Sequence, residues 1–476
     1  MSVTRLAFVC LASAACSAPV ANVTDTALPL TPCRLKGLSA PANCGTLSVA
    51  EDRSVPGGRR IALRVAVVPA SLRPAAPDPL FVLVGGPGQA ATEAGAPLAQ
   101  ILLEVRRHRD IVLVDQRGTG ASNPLDCVLH DPDDMAAALD DPVPLGVLAK
   151  CVKGWDADTR RYRTTDAADD LEAVREALGY PQIDLWGASY GTRLALEYLR
   201  RHGEHARAVV LDGVAPAGMV LPLAAAKDGQ AALERILDDA AEEFPTLRAE
   251  LEQLLALPPR QLTVAHPRTG VAQTLTVDRD DIAALIRGAL YSPELTSILP
   301  LAIRRALAGD LGTFAAISVA MSAGVEEGLS LGLMLAVICA EDVPRIKPGD
   351  LQKAVRGTIF GPDLVQPMVD ACSVVPTEPV PQSLDKPVVS DVPTLILSGG
   401  ADPATPPHWG ERAASGLSRA RHVQVEEMAH GLTVRGCVPD LVADFLVAGS
   451  GDELDVGCAD KIRRPPFFVR RTGPTP

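Results

Sequence analysis

A serine flanked by glycines is the residue whose surroundings most clearly indicate chemistry. Ser189 lies in Gly187-Ala-Ser-Tyr-Gly191, between an apolar run at residues 183–186 and a stretch with helical periodicity at residues 192–201. A serine on a sharp strand–turn–helix bend needs small neighbours, because larger side chains would collide there. The bend lifts the hydroxyl above the sheet edge, at the positive end of the following helix. We predict that Ser189 is a catalytic nucleophile.

A base must take the proton of the serine hydroxyl before that hydroxyl can attack a carbonyl. In chains where a nucleophile follows a strand in this way, the acid and then the base come from loops after later strands. His430 follows a strand-like run at residues 422–425, so we predict that it is the base. His408 lies downstream of the preceding strand and His422 begins this one, which places both less well. The alternative for His430 is a surface-loop histidine.

The acid that orients the base is expected after the preceding strand. Asp402 follows the strand-like run at residues 394–398 and is our predicted acid. Asp391 precedes that run and would point to the opposite edge of the sheet. Because an aspartate before proline is also a common turn former, a purely local role is the alternative for Asp402.

Two backbone amides should stabilise the oxyanion that develops during acyl transfer. We predict that one is the N–H of Tyr190, which follows the nucleophile, and the other the N–H of Gly85 or Gly86. Those two glycines end an apolar run at residues 80–84, and glycine lets an amide face the reacting atom. Pro87 has no N–H to offer. A phosphate-binding loop is disfavoured because no Gly-Lys-Ser/Thr follows.

The elements that must position these residues alternate between strand and helix up to about residue 215. This alternation predicts a mainly parallel sheet covered on both faces, an α/β fold. The predicted strands are residues 61–68, 80–84, 111–114, 183–186 and 208–211, and the predicted helices are residues 91–107, 167–178 and 192–201.

A largely helical segment then interrupts the sheet and is closed by a proline-rich stretch at residues 374–381. Strand-like runs return after it and are followed by a helix at residues 438–446. We predict an N-terminal core part at residues 30–215, a helical cap at residues 216–388, and a C-terminal core part with a tail at residues 389–476. The basic tail is expected to lie along the surface.

The N-terminus predicts export. A short positive region and an apolar stretch resemble a secretory signal at residues 1–16, too short to span a bilayer. The sequence before Cys16 also resembles a lipoprotein cleavage box, so a lipid anchor at Cys16 is the alternative to release. The protein is therefore expected in the periplasm, outside the cell, or lipid-anchored to the membrane.

Eight of the ten cysteines lie beyond the signal, and an even number in an exported chain indicates disulfides. They fall into four sequence-local couples, which favours pairing of neighbours without settling it; buried free thiols are the alternative. The eight are Cys33, Cys44, Cys127, Cys151, Cys339, Cys372, Cys437 and Cys458.

Charge and motif spacing limit the class of partner. The 476-residue chain has a net charge of -13, which argues against nucleic acid and anionic membrane surfaces as partners. No CxxC or HxxxH spacing occurs, so a zinc site is not expected. No metal or organic cofactor is predicted, because the serine chemistry is complete without one.

Three motifs in order give the chain a family resemblance. Gly85-Gly-Pro-Gly88, Val114-Asp-Gln-Arg-Gly-Thr-Gly120 and the Ser189 pentapeptide resemble the prolyl aminopeptidase/tripeptidyl aminopeptidase branch of the α/β-hydrolases, over roughly residues 33–460. The C-terminal part, with Gly399-Gly-Ala-Asp-Pro-Ala-Thr-Pro406 and His430-Gly431, resembles the tripeptidyl-aminopeptidase-like domain. The resemblance implies a serine exopeptidase acting at free N-termini.

The chain departs from that family pattern at two points. Val84 stands where the family usually has a histidine before the glycine loop, so that loop is expected to be held differently. The tryptophan–glutamate signature that binds the substrate's amino group in prolyl aminopeptidases is not recognisable in the cap. Strict proline specificity is therefore not predicted.

An aminopeptidase must pair a carboxylate with the substrate's ammonium group. Glu341 and Asp342, at the end of an apolar cap helix, are our candidates for substrate binding; a solvated helix end is the alternative. Asp115 and Arg117 are interpreted as structural residues that hold neighbouring loops together.

Three functions are carried forward from the sequence. The first is an aminopeptidase acting on short peptides through a Ser-His-Asp acyl-enzyme mechanism. The second is a carboxylesterase using the same residues on small esters. The third, from a different class, is a non-catalytic binding protein that kept the fold; inertness toward a fluorophosphonate probe would favour it.

Overall fold

The computed structural model describes residues 28–131, 133–325, 329–378, 380, 382–470 and 472–473. The predicted signal at residues 1–16, with Cys16, lies outside the described residues. Within them, no helix combines the length and apolar character that a membrane span requires.

A nine-stranded sheet forms the centre of the molecule, with strand order β1-β2-β3-β5-β4-β6-β7-β10-β11. The neighbours from β5 to β11 pair in parallel, whereas β1, β2 and β3 are joined antiparallel at one side. The strands are β1 Thr31–Cys33, β2 Ala42–Ala50, β3 Arg60–Val68, β4 Leu80–Leu83, β5 Ile111–Val114, β6 Ile183–Ala188, β7 Ala206–Asp212, β8 Arg260–Ala265, β9 Ala272–Val277, β10 Thr394–Gly399 and β11 Ala420–Val425.

Sixteen α-helices are found in the described residues. They are α1 Ala91–Ile101, α2 Leu103–His108, α3 Met135–Asp140, α4 Leu145–Gly154, α5 Thr164–Leu178, α6 Tyr190–His202, α7 Leu221–Asp239, α8 Leu247–Leu255, α9 Arg279–Ala289, α10 Pro293–Leu307, α11 Gly312–Val325, α12 Leu331–Glu341, α13 Asp350–Val355, α14 Gln366–Ala371, α15 Pro407–Ala414 and α16 Val438–Ala448.

Helices cover both faces of the sheet, which explains why its central strands are continuous apolar runs. In β4, Leu80 and Val82 point to the face covered by α1, α2 and α16. Phe81 and Leu83 point to the opposite face, covered by α5, α6 and α15. Alternate side chains thus serve two cores. The predicted α/β fold class is confirmed.

The segment that we call the cap, residues 216–388, lies between β7 and β10 in the chain and contains α7 to α14. It has a core of its own, to which Leu233, Phe244 and Ile286 contribute. The cap also contains a hairpin, β8–β9, that the sequence did not predict. Most β8 side chains are exposed or half-buried. The sequence of this strand therefore lacks the clear alternation of apolar and polar residues that predicts a strand.

The C-terminal tail is anchored to the cap by one aromatic side chain. Phe467 is buried against Phe244, with ring centroids 6.1 Å apart and nearly perpendicular planes. The Arg464 guanidinium lies 3.7 Å from the centre of the Phe467 ring. The tail is therefore packed at this point rather than only lying along the surface.

Four disulfides join the eight described cysteines as sequence neighbours. The pairs are Cys33–Cys44, Cys127–Cys151, Cys339–Cys372 and Cys437–Cys458. Of the 105 connectivities that eight cysteines allow, the structure has the one favoured by proximity along the chain.

Candidate active site

Ser189 occupies a strained turn between β6 and α6, with φ 55° and ψ −123°. Positive φ is rare for a residue with a side chain. The turn is tight because a Cβ on Gly187 would lie 2.5 Å from the Gly191 carbonyl oxygen, and one on Gly191 would lie 2.0 Å from that of Leu83. The two flanking glycines are thus required sterically.

The carboxyl ends of neighbouring parallel strands bring the three predicted residues to one edge of the sheet. Ser189 directly follows β6, Asp402 follows β10 and His430 follows β11. The Ser189 N–H donates to the Asp212 carbonyl at 2.9 Å, which fixes the turn to the end of β7. Residues more than 200 positions apart are therefore assembled by strand order.

His430 and Asp402 form a direct hydrogen bond, with Nδ1 2.8 Å from Oδ2. Thr405 supports the pair, because its hydroxyl donates to Asp402 Oδ2 at 2.7 Å. The backbone amides of Ala404 and Thr405 donate to Asp402 Oδ1 at 2.8 and 2.9 Å. This arrangement holds the imidazole in one orientation, as a general base requires.

The electrostatics of this pair favour an ionised acid. Burial by itself would raise the pKa of Asp402, but His430 and the Thr405 hydrogen bonds outweigh it and lower that pKa below its ordinary value. Burial likewise opposes the charged form of His430, yet the Asp402 carboxylate prevails and raises the pKa of the imidazole above 6.5. The imidazolium formed during proton transfer is thereby stabilised.

Asp212 is a buried carboxylate beside the site, and it was not predicted from the sequence. It ends β7 and accepts the Leu432 and Thr433 amides at 2.8 and 2.7 Å. These amides belong to the loop that follows His430, so Asp212 holds that loop in place. A signal was present, since Asp212 ends a strand-like run, but neither amide could be identified without the fold.

Two backbone amides near Ser189 in the chain or in space have no hydrogen-bond partner among the described residues. Within the described residues, the N–H groups of Gly86 and Tyr190 make no hydrogen bond. The Gly85 amide instead donates to Gln89 Oε1 at 3.1 Å. Of the two glycines predicted as oxyanion donors, Gly86 therefore has the free amide, whereas Gly85 uses its own to brace the loop.

The glycine loop is held by Gln89 and by the cap. The Ser330 amide donates to the Gly88 carbonyl at 2.7 Å. A Cβ on Gly88 would lie 2.5 Å from the Ser330 carbonyl oxygen, so the cap backbone approaches closely there. These contacts hold the glycine loop, in which Val84 replaces the histidine usual in the family.

A cavity of about 530 Å³ is lined by Leu329, which pairs with Gln89 of this loop, but not by the loop residues or by Ser189, Asp402 or His430. Leu329 also lies against Gly86, with Cδ1 3.0 Å from the position that a Cβ would take. Most of the other lining side chains are apolar, including Leu285 and Phe314. The charged and titratable ones are Asp131, Asp134, His130, His266 and Arg268. The cavity has the size and character of a small-molecule or short-peptide site.

Glu341 and Asp342, predicted to bind substrate, lie in a buried cluster with Arg193. Their exposed fractions are 1% and 0%. Glu341 accepts the Thr164 amide at 2.7 Å and lies 3.4 Å from Arg193 Nη1, while Asp342 lies 3.1 Å from the same nitrogen. Both carboxylates thus have protein partners, and a solvated helix end does not describe their surroundings. Their contact with a substrate ammonium group stays a prediction.

Asp115 and Arg117 hold loops together, as predicted. Asp115 accepts the Thr92 amide at 2.8 Å, and burial raises the pKa of its carboxyl. Arg117 is buried and forms two hydrogen bonds to Asp170, at 2.7 and 2.8 Å. Among the described residues, no group of three or more His, Cys, Asp or Glu side chains is arranged to hold a metal ion.

Two full-length relatives are similar over most of the chain. Serine protease Hip1 of Mycobacterium tuberculosis (strain H37Rv) is 26% identical over 476 residues, covering 90% of this chain and 90% of that protein. Tripeptidyl aminopeptidase of Streptomyces coelicolor is 26% identical over 471 residues, covering 89% of this chain and 84% of that protein. The resemblance indicated by the three motifs is thereby confirmed.

A shorter similarity and a family model complete the comparison. Carboxylesterase B of Mycobacterium tuberculosis (strain CDC 1551 / Oshkosh) is 31% identical over 194 residues, which is 36% of each chain. The family model of the α/β hydrolase fold matches residues 78–433, about three quarters of the chain. Together with the strand order and the serine turn, this match shows that the chain belongs to the α/β-hydrolase family.

Proposed function

We propose that this protein is an exported serine aminopeptidase that releases residues or short peptides from free N-termini. The observation that carries the proposal is the strained Ser189 turn, joined through Asp212 to the loop of the hydrogen-bonded His430–Asp402 pair, with the amides of Gly86 and Tyr190 free in the described residues. Serine peptidase relatives that match about 90% of the chain support the same class of activity.

In the proposed mechanism, Ser189 attacks the carbonyl carbon while His430 takes the hydroxyl proton. The Gly86 and Tyr190 amides stabilise the oxyanion of the tetrahedral intermediate. His430 then gives its proton to the leaving amine, and an acyl-enzyme remains on Ser189. A water molecule, activated by the same imidazole, hydrolyses that ester and restores the enzyme.

The acyl part of the substrate is assigned to the cavity beside the glycine loop. Its volume suits a short peptide, and its apolar lining favours apolar side chains. Because Arg193 already pairs with Glu341 and Asp342, we assign the ammonium group to Asp131 and Asp134 at the cavity, whose carboxylates accept only backbone amides of their own turns in the described residues. Asp131→Asn and Asp134→Asn are therefore the variants to compare with Glu341→Gln.

Export is supported by the disulfides, which form and persist in oxidising compartments. The predicted signal and the choice between release and a lipid anchor at Cys16 remain predictions from the sequence. Mass spectrometry of the mature protein from its host would identify the first residue and any attached lipid.

A carboxylesterase is the second candidate. The local similarity to carboxylesterase B favours it, and the same three residues could hydrolyse a small ester. Esters need no ammonium partner, so the two functions differ in their response to a free amino group on the substrate.

The deciding experiment measures hydrolysis of a tripeptidyl chromogenic amide, its N-acetylated form and p-nitrophenyl butyrate. We expect the free-amine peptide to be preferred, and Ser189→Ala to lower its kcat/KM about 10⁴- to 10⁶-fold. Ser415→Ala is the matched control, because that exposed hydroxyl bonds only the Arg412 carbonyl.

Three results would contradict parts of the proposal. Rapid ester turnover with both peptides untouched would make the enzyme an esterase. Equal cleavage of the acetylated peptide would remove the exopeptidase assignment. Full activity of Ser189→Ala would remove the nucleophile.

A further inference from the structure

A cation from the cap lies beside the catalytic base. Tyr291, two residues beyond the end of α9, packs edge-on against the His430 ring, with centroids 5.4 Å apart and planes at 75°. Arg287, in the last turn of α9, lies over the Tyr291 ring with Cζ 5.3 Å from its centre. Its Nη1 also donates to the Tyr291 hydroxyl at 3.1 Å. The ring contacts thus link the guanidinium to His430.

The charge of Arg287 is not neutralised by an ion pair in the described part of the chain. Its Nε donates to the Ala225 carbonyl at 3.3 Å, and its side chain is partly exposed. Asp228, an acidic group on the adjacent helix α7, interacts electrostatically with Arg287 without a direct ion pair in the described residues, and its carboxylate accepts the Trp409 indole N–H at 2.8 Å and lies 3.7 Å from His408. Nη2 of Arg287 remains for another anion.

This placement has an electrostatic cost for the proposed chemistry. A positive charge beside His430 opposes formation of the imidazolium and works against the effect of Asp402. An anion bound to Arg287 would cancel that cost while the substrate is in place.

The position of His430 defines which part of a substrate meets Arg287. The base returns its proton to the leaving amine, so the leaving group must lie against the open side of the imidazole. Each residue of an extended chain spans roughly 3.5 Å, so a carboxylate one or two residues beyond the cleaved bond lies up to about 7 Å from it. That span is comparable with the ring contacts of 5.4 Å and 5.3 Å through which Tyr291 connects His430 to Arg287.

We propose that Arg287, braced by Tyr291, is a subsite for a carboxylate on the leaving group. Cleavage is then favoured when the substrate ends within one or two residues of the cleaved bond. The inference rests on the proposed peptidase function. Arginine suits the task, because its planar guanidinium can bind both carboxylate oxygens.

The test compares four tetrapeptides that differ only in the fourth residue: Ala with a free carboxylate, Ala amide, Asp amide and Asn amide. In the wild type we expect the free carboxylate of Ala to be preferred to the amide. In Arg287→Gln, kcat/KM for that peptide should fall about 10- to 100-fold, as expected when a charge-assisted hydrogen bond is lost. Arg287→Lys should retain part of the preference.

The Asp and Asn amides separate the two sources of a carboxylate. If Arg287→Gln lowers kcat/KM only for the peptide that ends in Ala with a free carboxylate, the subsite binds the chain terminus. If Arg287→Gln lowers kcat/KM only for the Asp amide, the subsite binds an acidic side chain. Equal losses on all four peptides would overturn the subsite and leave Arg287 a structural residue. Arg279→Gln, at the exposed start of the same helix and paired with Asp280, is the matched control.

Failure of the proposed function would be visible separately. If the wild type cleaves none of the peptides, the butyryl esters of 3-hydroxybenzoate and 3-hydroxybenzamide replace them, because their leaving groups also differ by a carboxylate. A preference for the benzoate that is lost in Arg287→Gln would sustain the subsite in an esterase. No preference in the wild type would overturn it.

Discussion

Ser189 and Asn123 are the two non-glycine residues with positive φ in the described chain. A strained conformation persists only where the surroundings impose it, and here the Gly187–Gly191 contact and the bond to Asp212 do so. The same Asp212 holds the His430 loop through its carboxylate. One residue therefore fixes the relative positions of the proposed nucleophile and base.

Asp402 has a role that can be tested through pH. His430 must be neutral to accept the Ser189 proton, and Asp402 raises its pKa above 6.5. In the wild type, kcat/KM should therefore rise with pH through a value above 6.5. In Asp402→Asn the imidazolium loses its carboxylate, so this acidic limb should move to lower pH.

The same substitution should lower kcat about 10⁴-fold, because the amide stabilises the wrong tautomer of the base. The measurement is a pH profile of peptide hydrolysis for both proteins. Asp391→Asn, at an exposed position before β10, is the control and should behave as wild type. If the acidic limb does not move in Asp402→Asn, Asp402 does not raise the pKa of His430, and its predicted role as the acid is wrong.

At the scale of elements, a buried ion cluster joins the helix after the nucleophile to the cap. Arg193 of α6 lies between Glu341, which ends α12, and Asp342. Glu341 also accepts the first amide of α5, at Thr164, so it caps a third helix from a distance. Removing one member would leave a buried charge without its partner.

Glu341→Gln separates a structural role from an ammonium-binding one. We expect the free energy of unfolding to fall by about 3 kcal/mol, because a buried pair is broken. The kcat/KM values for a free-amine peptide and for p-nitrophenyl butyrate should change by the same factor. Thermal unfolding and both assays are the measurements.

The original prediction for Glu341 gives the opposite pattern. Stability would then be unchanged, and KM would rise for the free-amine peptide alone. Glu252→Gln, at an exposed position on α8 of the cap, controls for the loss of one negative charge.

For the molecule as a whole, the four disulfides close short stretches of chain, with separations of 11 to 33 residues. Cys339–Cys372 joins α12 to the end of α14 inside the cap, beside the buried ion cluster. Cys437–Cys458 joins the start of α16 to the tail. Of these bridges, Cys437–Cys458 starts soon after the proposed base His430, and Cys339–Cys372 stabilises the cap.

Replacing both Cys339 and Cys372 by alanine should reduce the free energy of unfolding by about 3 kcal/mol, because the unfolded chain regains the freedom of a closed loop. Denaturant unfolding with and without reductant measures the effect. Reductant should destabilise the wild type more than this variant. A wild type that is indifferent to reductant would contradict the four pairings.

The sequence alone determined the features that depend on local spacing. The Gly187–Gly191 turn is dictated by steric contact between near neighbours, and the apolar runs that became β4, β5 and β6 are short-period patterns. Asp402 and His430 could be predicted as acid and base because each follows a strand, and strand ends of a parallel sheet share an edge. The boundaries moved by a few residues, and the predicted helix at residues 91–107 became α1 and α2.

Tertiary structure decided the contacts between residues that are remote in the chain. Glu341 looked like a free carboxylate because Arg193, 148 positions away, could not be seen as its partner. The Gln89 side chain accepts the Gly85 amide, so only Gly86 is left as an oxyanion donor of the two glycines between which the sequence could not decide. Arg287 gained its place beside His430 only through the packing of the cap. Which charges pair and which groups stay free for a substrate depend on contacts between distant parts of the chain. Residue spacing does not predict those contacts.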